Sequence, residues 1–268
     1  MMTLPTHFEL REVLKSAASI IRGIYDSGST VSYKENGMPL TAADIRTSQF
    51  LERELSRLFP AAGWLSEESV DDAARLAHDW VWIVDPLDGT KEFVVRIPEF
   101  AISIGLVHKQ NPVLGGVMNP VTGEGGVGQV GGHAEFWGFP EHVASAKRLA
   151  DATASVSRTE VDDGSIVPYL PLVGHARPVG SVAYKLLRVA AGIDDLTFSV
   201  QHKSEWDVCG GVALLGAVDK VYRRFDGEPI RFNQRDIRIR CGAVAGDETL
   251  VTQFLRKVEQ DALRSGIP

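Results

Sequence analysis

Two aspartates, Asp85 and Asp88, stand three residues apart around Pro86 at the end of the apolar run Val81 to Val84, with Gly89-Thr90 directly behind them. The run is β-branched and aromatic, which suits a buried strand, and Pro86 with Gly89 forces the chain to turn at its end. Both carboxylates then converge at a strand terminus. Oxygen ligands with no Cys or His close by suit a hard cation such as Mg²⁺, and a phosphate would find backbone N–H groups where Gly89 and Thr90 open a helix. The competing reading is an Asp-rich turn with Asp88 as a helix N-cap.

Two further acidic elements stand where such a site would need them: WLSEES at 64–69 and SEWDVCGG at 204–211. Glu67 follows a short apolar piece after the Pro60 to Gly63 turn, so a second strand end is expected there. Asp207 heads the apolar, small-residue run Val208 to Val218, which reads as a buried helix. Helix capping alone would also account for a carboxylate at that position.

The phrases LSEES, DPLDGT and WDVCGG, in this order and at these separations, resemble those of the inositol monophosphatase superfamily, whose members are Mg²⁺-dependent, lithium-sensitive phosphatases. The resemblance runs from PLTAADI near Thr41 to Asp207. DGTKEF, in place of the DGTTNF of inositol monophosphatases, is similar to bacterial 3'(2'),5'-bisphosphate nucleotidases, which hydrolyse 3'-phosphoadenosine 5'-phosphate. SRTE (157–160), GSVAYK (180–185) and DGEPIRFNQ (226–234) look like that subgroup as well.

The resemblance implies a layered α/β fold, a five-layer αβαβα sandwich. It also implies two or three Mg²⁺ ions. Glu67, Asp85 and the Leu87 carbonyl would hold the first, and Asp85, Asp88 and Asp207 the second. Thr90 and Asp44 would form the catalytic pair that aligns and deprotonates water. Gly89, Thr90 and Asp207 would touch the substrate, with Ser181 and Lys185 meeting a distal phosphate and nucleoside. For Lys185 and Arg158 a solvated surface role stays open, and for Glu68 either an outer metal or a supporting hydrogen bond. Lys91, Trp206 and His202 are assigned no role. The loop KENGMPLT, 34–41, departs from the acidic or serine-containing loop of the family, which leaves it no assigned metal.

Phosphomonoester hydrolysis needs an in-line water, neutralised phosphoryl charge and a stabilised leaving oxygen, and two cations held by carboxylates meet all three needs. The chemistry expected is therefore release of the 3'-phosphate. Inositol or fructose phosphatase activity is the alternative, and a non-catalytic binder of a phosphorylated metabolite is an alternative of another class.

The elements that must position these groups are legible from periodicity. Residues 8–28 and 41–59 carry apolar side chains at helical spacing, and Thr41 stands where an N-cap would. From Gly63 to about Gly132 alternating and apolar runs broken by Asn-Pro and Gly read as an antiparallel meander. Within it, TGEGGVGQVGG (122–132) lacks the Gly-Lys-Ser/Thr ending of a phosphate loop and reads as a hairpin turn. Beyond it HARPVGS reads as strand and turn, VAYKLLRVAAG as a helix and DLTFSV as a strand. The division expected is 1–132 and 133–268.

With 268 residues, 44% of them hydrophobic, the chain can bury a large core. A net charge of −7 argues against a nucleic-acid polymer as partner. Cys209 and Cys241, the only cysteines, give no disulfide framework and no zinc spacing. No leader pattern is visible, and no apolar run approaches the ~20 residues that cross a bilayer, so a cytoplasmic monomer or homodimer acting on a small phosphorylated metabolite is expected.

Overall fold

The computed structural model describes residues 4–28, 30–35, 37–141 and 146–265. Asn36 of the 34–41 loop lies outside them. Helix α1 (His7–Ser27) opens with a capping box in which Thr6 accepts from the Glu9 N–H while the Glu9 side chain accepts from the Thr6 N–H. Its Leu10, Leu14, Ala17 and Ile21 recur every three or four residues and are buried. The hairpin β1 (Val31–Tyr33) and β2 (Pro39–Thr41) leads into α2 (Ala42–Leu58), which starts with the same device, Thr41 at the cap and Asp44 three residues on.

Both helices cover one face of a six-stranded sheet whose spatial order follows the chain: β3 (Gly63–Ser66), β4 (Trp80–Asp88), β5 (Ala101–His108), β6 (Asn111–Met118), β7 (Gly125–Gln129) and β8 (Ala134–Trp137). β3 runs parallel to β4 and every other neighbouring pair is antiparallel. Alternation along β4 sorts its side chains. Trp82 and Val84 join Leu14, Leu51 and Leu55 under α1 and α2, whereas Val81 and Ile83 join Leu186, Val208 and Leu215 on the opposite side.

Gly125, Gly126 and Gly128, expected in a turn, instead lie in strand β7. A Cβ at Gly126 would stand 2.6 Å from Phe136 Cδ1, and one at Gly128 would stand 2.8 Å from Ala217 Cβ. The strand is glycine-rich because its neighbours press onto the backbone. The turn itself is at Gly131-Gly132, and the sheet continues past it to Trp137.

The opposite face is covered by α5 (Val182–Ala190) and α6 (Glu205–Ala217), the middle helical layer. α6 is apolar along its length because sheets lie on both sides of it. The second sheet has the order β10 (His175–Val179), β9 (Thr153–Ser157), β11 (Leu196–Ser199), β15 (Ala243–Gly246) and β13 (Val221–Arg224), with the short α4 (Arg158–Asp162) leading out of β9. A two-residue pair, β12 (Lys203–Ser204) with β14 (Arg238–Ile239), ties the start of α6 to the loop before β15. Helix α7 (Glu248–Ser265) packs Leu250, Val251 and Phe254 on the far side of this sheet, against Val156, Phe198 and Val244. The layers therefore run α1α2, first sheet, α5α6, second sheet, α7: the αβαβα sandwich expected. Among the described residues no helix is long and apolar enough to cross a membrane.

Candidate metal centre and catalytic pair

The end of β4 explains how two aspartates three residues apart come to act together. On a regular strand Asp85 and Asp88 would face opposite sides of the sheet. Here Asp85 pairs with Ser103 and Asp88 with Ala101, so three steps on β4 are matched by two on β5, and Pro86-Leu87 form a bulge. The extra residue turns Asp88 to the side of Asp85, toward the middle helices, while Leu87 is buried under α1 and α2. Gly89, at φ 97°, then turns the chain into α3 (Thr90–Val94). A Cβ at Gly89 would stand 3.0 Å from Phe100 Cβ, so both the backbone angle and the space call for glycine.

Asp207 joins them from α6. One ligand oxygen from each of Asp85, Asp88 and Asp207 lies within 4.8 Å of the others. Each carboxylate is anchored through one oxygen. Asp85 Oδ1 accepts from Leu87 N at 2.9 Å, Asp207 Oδ2 from Ser204 N at 2.7 Å, and Asp88 Oδ2 from both Ser181 Oγ and Ala183 N at 2.6 Å. Asp85 Oδ2 is buried with no hydrogen-bond partner. Asp88 is thus no cap of α3, whose cap is Gly89; it receives the N-terminus of α5 instead. Asp207 does both things, capping α6 and completing the cluster.

The electrostatics fit a cation. Burial, then Glu67, Asp88 and Asp207, push the Asp85 carboxyl well above the usual carboxylate range. Burial and then Asp88 push Asp207 up to about 8. Packing three carboxylates this closely is costly unless positive charge is supplied, and an orphaned buried oxygen on one of them is what a bound cation would satisfy. The donor set is all oxygen, as Mg²⁺ requires. Residues Asp85, Asp88 and Asp207 therefore fit the ion.

Glu67 stands at the edge of this cluster, beyond the end of β3, where its N–H donates to Val84 O at 3.3 Å. Lys34, from the turn after β1, donates to Glu67 Oε1 at 2.8 Å and to Glu68 Oε1 at 2.6 Å. The two carboxylates hold the Lys34 ammonium above its ordinary value against the opposing effect of burial. The lysine was legible only as part of KENGMPLT, and nothing in its spacing pointed to Glu67 and Glu68.

Thr90 Oγ lies 2.9 Å from Asp44 Oδ1 and 3.1 Å from Leu87 O. One hydroxyl proton serves one acceptor, and the carboxylate is the stronger. Asp44 is buried, and its other oxygen accepts from the Thr41 N–H and hydroxyl, both at 2.7 Å, so the capping box of α2 also aims Asp44 at Thr90.

Glu67, Asp85, Asp88, Thr90 and Asp207 line one cleft of about 200 Å³, together with Ser181, Lys185, Met38, Glu92, Ser157 and Thr159. Lys185, expected on a substrate phosphate, is only 3% exposed and donates to Val179 O at 3.2 Å and Ser181 O at 2.7 Å. It borders the cleft while holding the turn that carries Ser181, and burial pushes it down to about 8. Arg158 pairs with Glu99 Oε2 at 2.6 Å, and the same oxygen accepts the Gly180 N–H at 2.7 Å. Lys91 also lines the cleft; His202 is exposed away from it. Glu92 stands in DGTKEF and Ser157 and Thr159 in SRTE, and no local pattern in those phrases points to the cleft that they line.

Comparison with known proteins finds relatives along most of the chain. The chain is 30% identical over 253 residues to the 3'(2'),5'-bisphosphate nucleotidase CysQ of Haemophilus influenzae, covering 89% of this chain and 92% of that one. It is 30% identical over 227 residues to the inositol-1-monophosphatase of Bacillus subtilis, covering 82% and 85%. Among solved structures, the extragenic suppressor protein suhB from Bartonella henselae superposes with a TM-score of 0.77 at 26% identity, covering 94% and 97%. A sequence model described as the inositol monophosphatase family matches residues 6–261, and the chain belongs to that family.

Proposed function

We propose that this phosphatase is a Mg²⁺-dependent 3'(2'),5'-bisphosphate nucleotidase that releases the 3'-phosphate of 3'-phosphoadenosine 5'-phosphate, leaving AMP. The observation that carries the chemistry is the convergence of Asp85, Asp88 and Asp207, with Asp85 Oδ2 buried and unpartnered, beside the Thr90–Asp44 pair. The substrate class is supported by the likeness to CysQ of Haemophilus influenzae and by Lys91-Glu92 in the DGTKEF phrase. The equal identity to the inositol-1-monophosphatase of Bacillus subtilis supports inositol phosphate as the second reading.

In this reading Glu67, Asp85, Asp88, Asp207 and the Leu87 carbonyl hold two or three Mg²⁺ ions. When bound, such ions neutralise phosphoryl charge and lower the pKa of water. Thr90 Oγ orients the attacking water and takes up its proton as the hydroxyl's own proton passes to Asp44, since a threonine hydroxyl without that carboxylate is too weak a base. The backbone at Gly89 and Thr90, free of any side-chain cap, faces the phosphate. Ser181 holds Asp88 in place, and Lys185 sets the positive end of the pocket for a second anionic group.

Phosphate release from 3'-phosphoadenosine 5'-phosphate, inositol 1-phosphate and fructose 1,6-bisphosphate, each with Mg²⁺ and with EDTA, tests this reading. A kcat/KM preference for the nucleotide, abolished in EDTA, is expected. Preference for inositol or fructose phosphate would overturn the substrate and keep the chemistry.

A further inference from the structure

Glu67 and Asp207 approach the cleft on segments far apart in the chain, and a third segment lies between them. Arg75, in the 3-10 turn Ala73–Ala77 that follows the Glu67-Glu68 loop, is 3% exposed. Its guanidinium makes a bidentate pair with Asp71, Nε to Oδ1 at 2.6 Å and Nη2 to Oδ2 at 3.0 Å. It also donates from Nη1 to Asn233 Oδ1 at 2.6 Å and from Nη2 to Gln234 O at 2.9 Å. Asn233 Nδ2 returns a bond to Arg75 O at 3.3 Å.

The Asn233-Gln234 segment is gripped from its other side by Glu205, the first residue of α6 and 1% exposed. Glu205 Oε2 accepts from Asn233 N at 2.6 Å and Oε1 from Gln234 N at 2.8 Å. Phe232, fully buried in the core beneath α6, pins the turn from below. Asn233 sits at φ 56°, a conformation few side chains tolerate and Asn tolerates best. At the opposite end of the strut the Arg75 backbone abuts the start of β3: a Cβ at Gly63 would stand 3.3 Å from Arg75 Cα. β3 delivers Glu67, and Glu205 stands two residues before Asp207. Neither Arg75 nor Glu205 lines the cleft.

We infer that Arg75, Asn233 and Glu205 form a strut of positioning residues that fixes the separation of the Glu67 and Asp207 segments, and with it the fit of the carboxylate set to a divalent cation. A buried arginine using four N–H groups and a buried carboxylate accepting two backbone N–H groups make a rigid link, because breaking the first contact leaves guanidinium N–H groups without acceptors and breaking the second leaves a buried carboxylate without donors. The inference rests on the metal reading given above. Changing partners that orient metal ligands typically costs ~10–100-fold in metal affinity.

The test is the dissociation constant for Mn²⁺, used as the probe ion, by calorimetry on the full chain, with melting temperature in EDTA measured beside it. Asn233→Gly keeps the backbone angle and the N–H to Glu205 and removes only the contacts to Arg75. It is expected to fold with a melting temperature near that of the wild type and to bind Mn²⁺ about tenfold more weakly, with kcat reduced more than KM is raised. Asn233→Asp, which restores an acceptor to Arg75, should return affinity to within about threefold. Glu205→Gln should weaken binding similarly. Wild-type Mn²⁺ affinity in Asn233→Gly would overturn the strut, provided that Asp88→Asn loses Mn²⁺; equal Mn²⁺ affinity in wild type and Asp88→Asn would instead overturn the metal site and the strut together.

Discussion

The Ser181 hydroxyl donates to Asp88 Oδ2 at 2.6 Å, so the residue that opens α5 holds the carboxylate that ends β4. Ser181 achieves this at φ 54°, outside the comfortable region for a side-chain-bearing residue, while also accepting from Tyr184 N at 3.0 Å. Strain of this kind persists when surrounding contacts enforce it. Ser181→Gly should relieve the backbone and Ser181→Ala should not, leaving Gly more stable by about 1 kcal/mol in urea melts. Both should lose turnover about tenfold or more, because Asp88 loses its anchor. Wild-type kcat/KM in Ser181→Ala would contradict the positioning role.

Thr90 and Asp44 are argued to move a proton. Thr90→Val removes the hydroxyl and keeps the shape, so kcat is expected to fall by ~10²–10⁴ with little change in KM, while Thr90→Ser keeps most of the activity. Asp44→Asn is less selective, because Asp44 also accepts from Thr41 at the start of α2, and a melting-temperature loss worth about 1 kcal/mol should accompany its loss of rate.

Lys185 makes stability depend on pH. Burial lowers its pKa from 10.5 to about 8, so the folded state binds fewer protons than the unfolded one between those values. The penalty is fully present below about 8 and is relieved as pH rises toward 10.5. Urea unfolding in EDTA should show the wild type gaining on Lys185→Met across that window by something on the order of 3 kcal/mol. An unchanged difference between the two proteins would refute the burial of a charged lysine there.

The joint between α6 and the first sheet is close-packed at glycine. A Cβ at Gly115 would stand 2.5 Å from Ala213 Cβ and 2.7 Å from Gly210 O. Gly115→Ala should cost roughly 1–3 kcal/mol by forcing α6 away from β6, and should weaken metal binding through Asp207. Denaturant titration and Mn²⁺ binding read the two effects separately.

Much of the site was legible because its chemistry is concentrated in short phrases. Asp85, Asp88 and Asp207 each bring one ligand oxygen to a common spot, a convergence for which their phrases gave a reason, and the caps at Thr41 and at residues 204–207 follow local rules. What stayed hidden depends on partners distant in sequence. The bulge at Pro86-Leu87 exists because β5 offers one residue, Ile102, against those two. Lys34 meets Glu67 and Glu68 only after the β1–β2 hairpin folds over β3, and Arg75 meets Asn233 across 158 positions. The strand at Gly125–Gln129 was concealed for a related reason: its glycines answer to Phe136 and Ala217, not to a turn.

The most direct test is phosphate release from 3'-phosphoadenosine 5'-phosphate by the wild type, Asp88→Asn and Asp207→Asn, each at saturating Mg²⁺ and in EDTA, with circular dichroism to verify folding. Wild-type turnover should disappear in EDTA and return with Mg²⁺, and both folded variants should lose at least ~10³-fold. Undiminished turnover in EDTA, or in either variant, would contradict it.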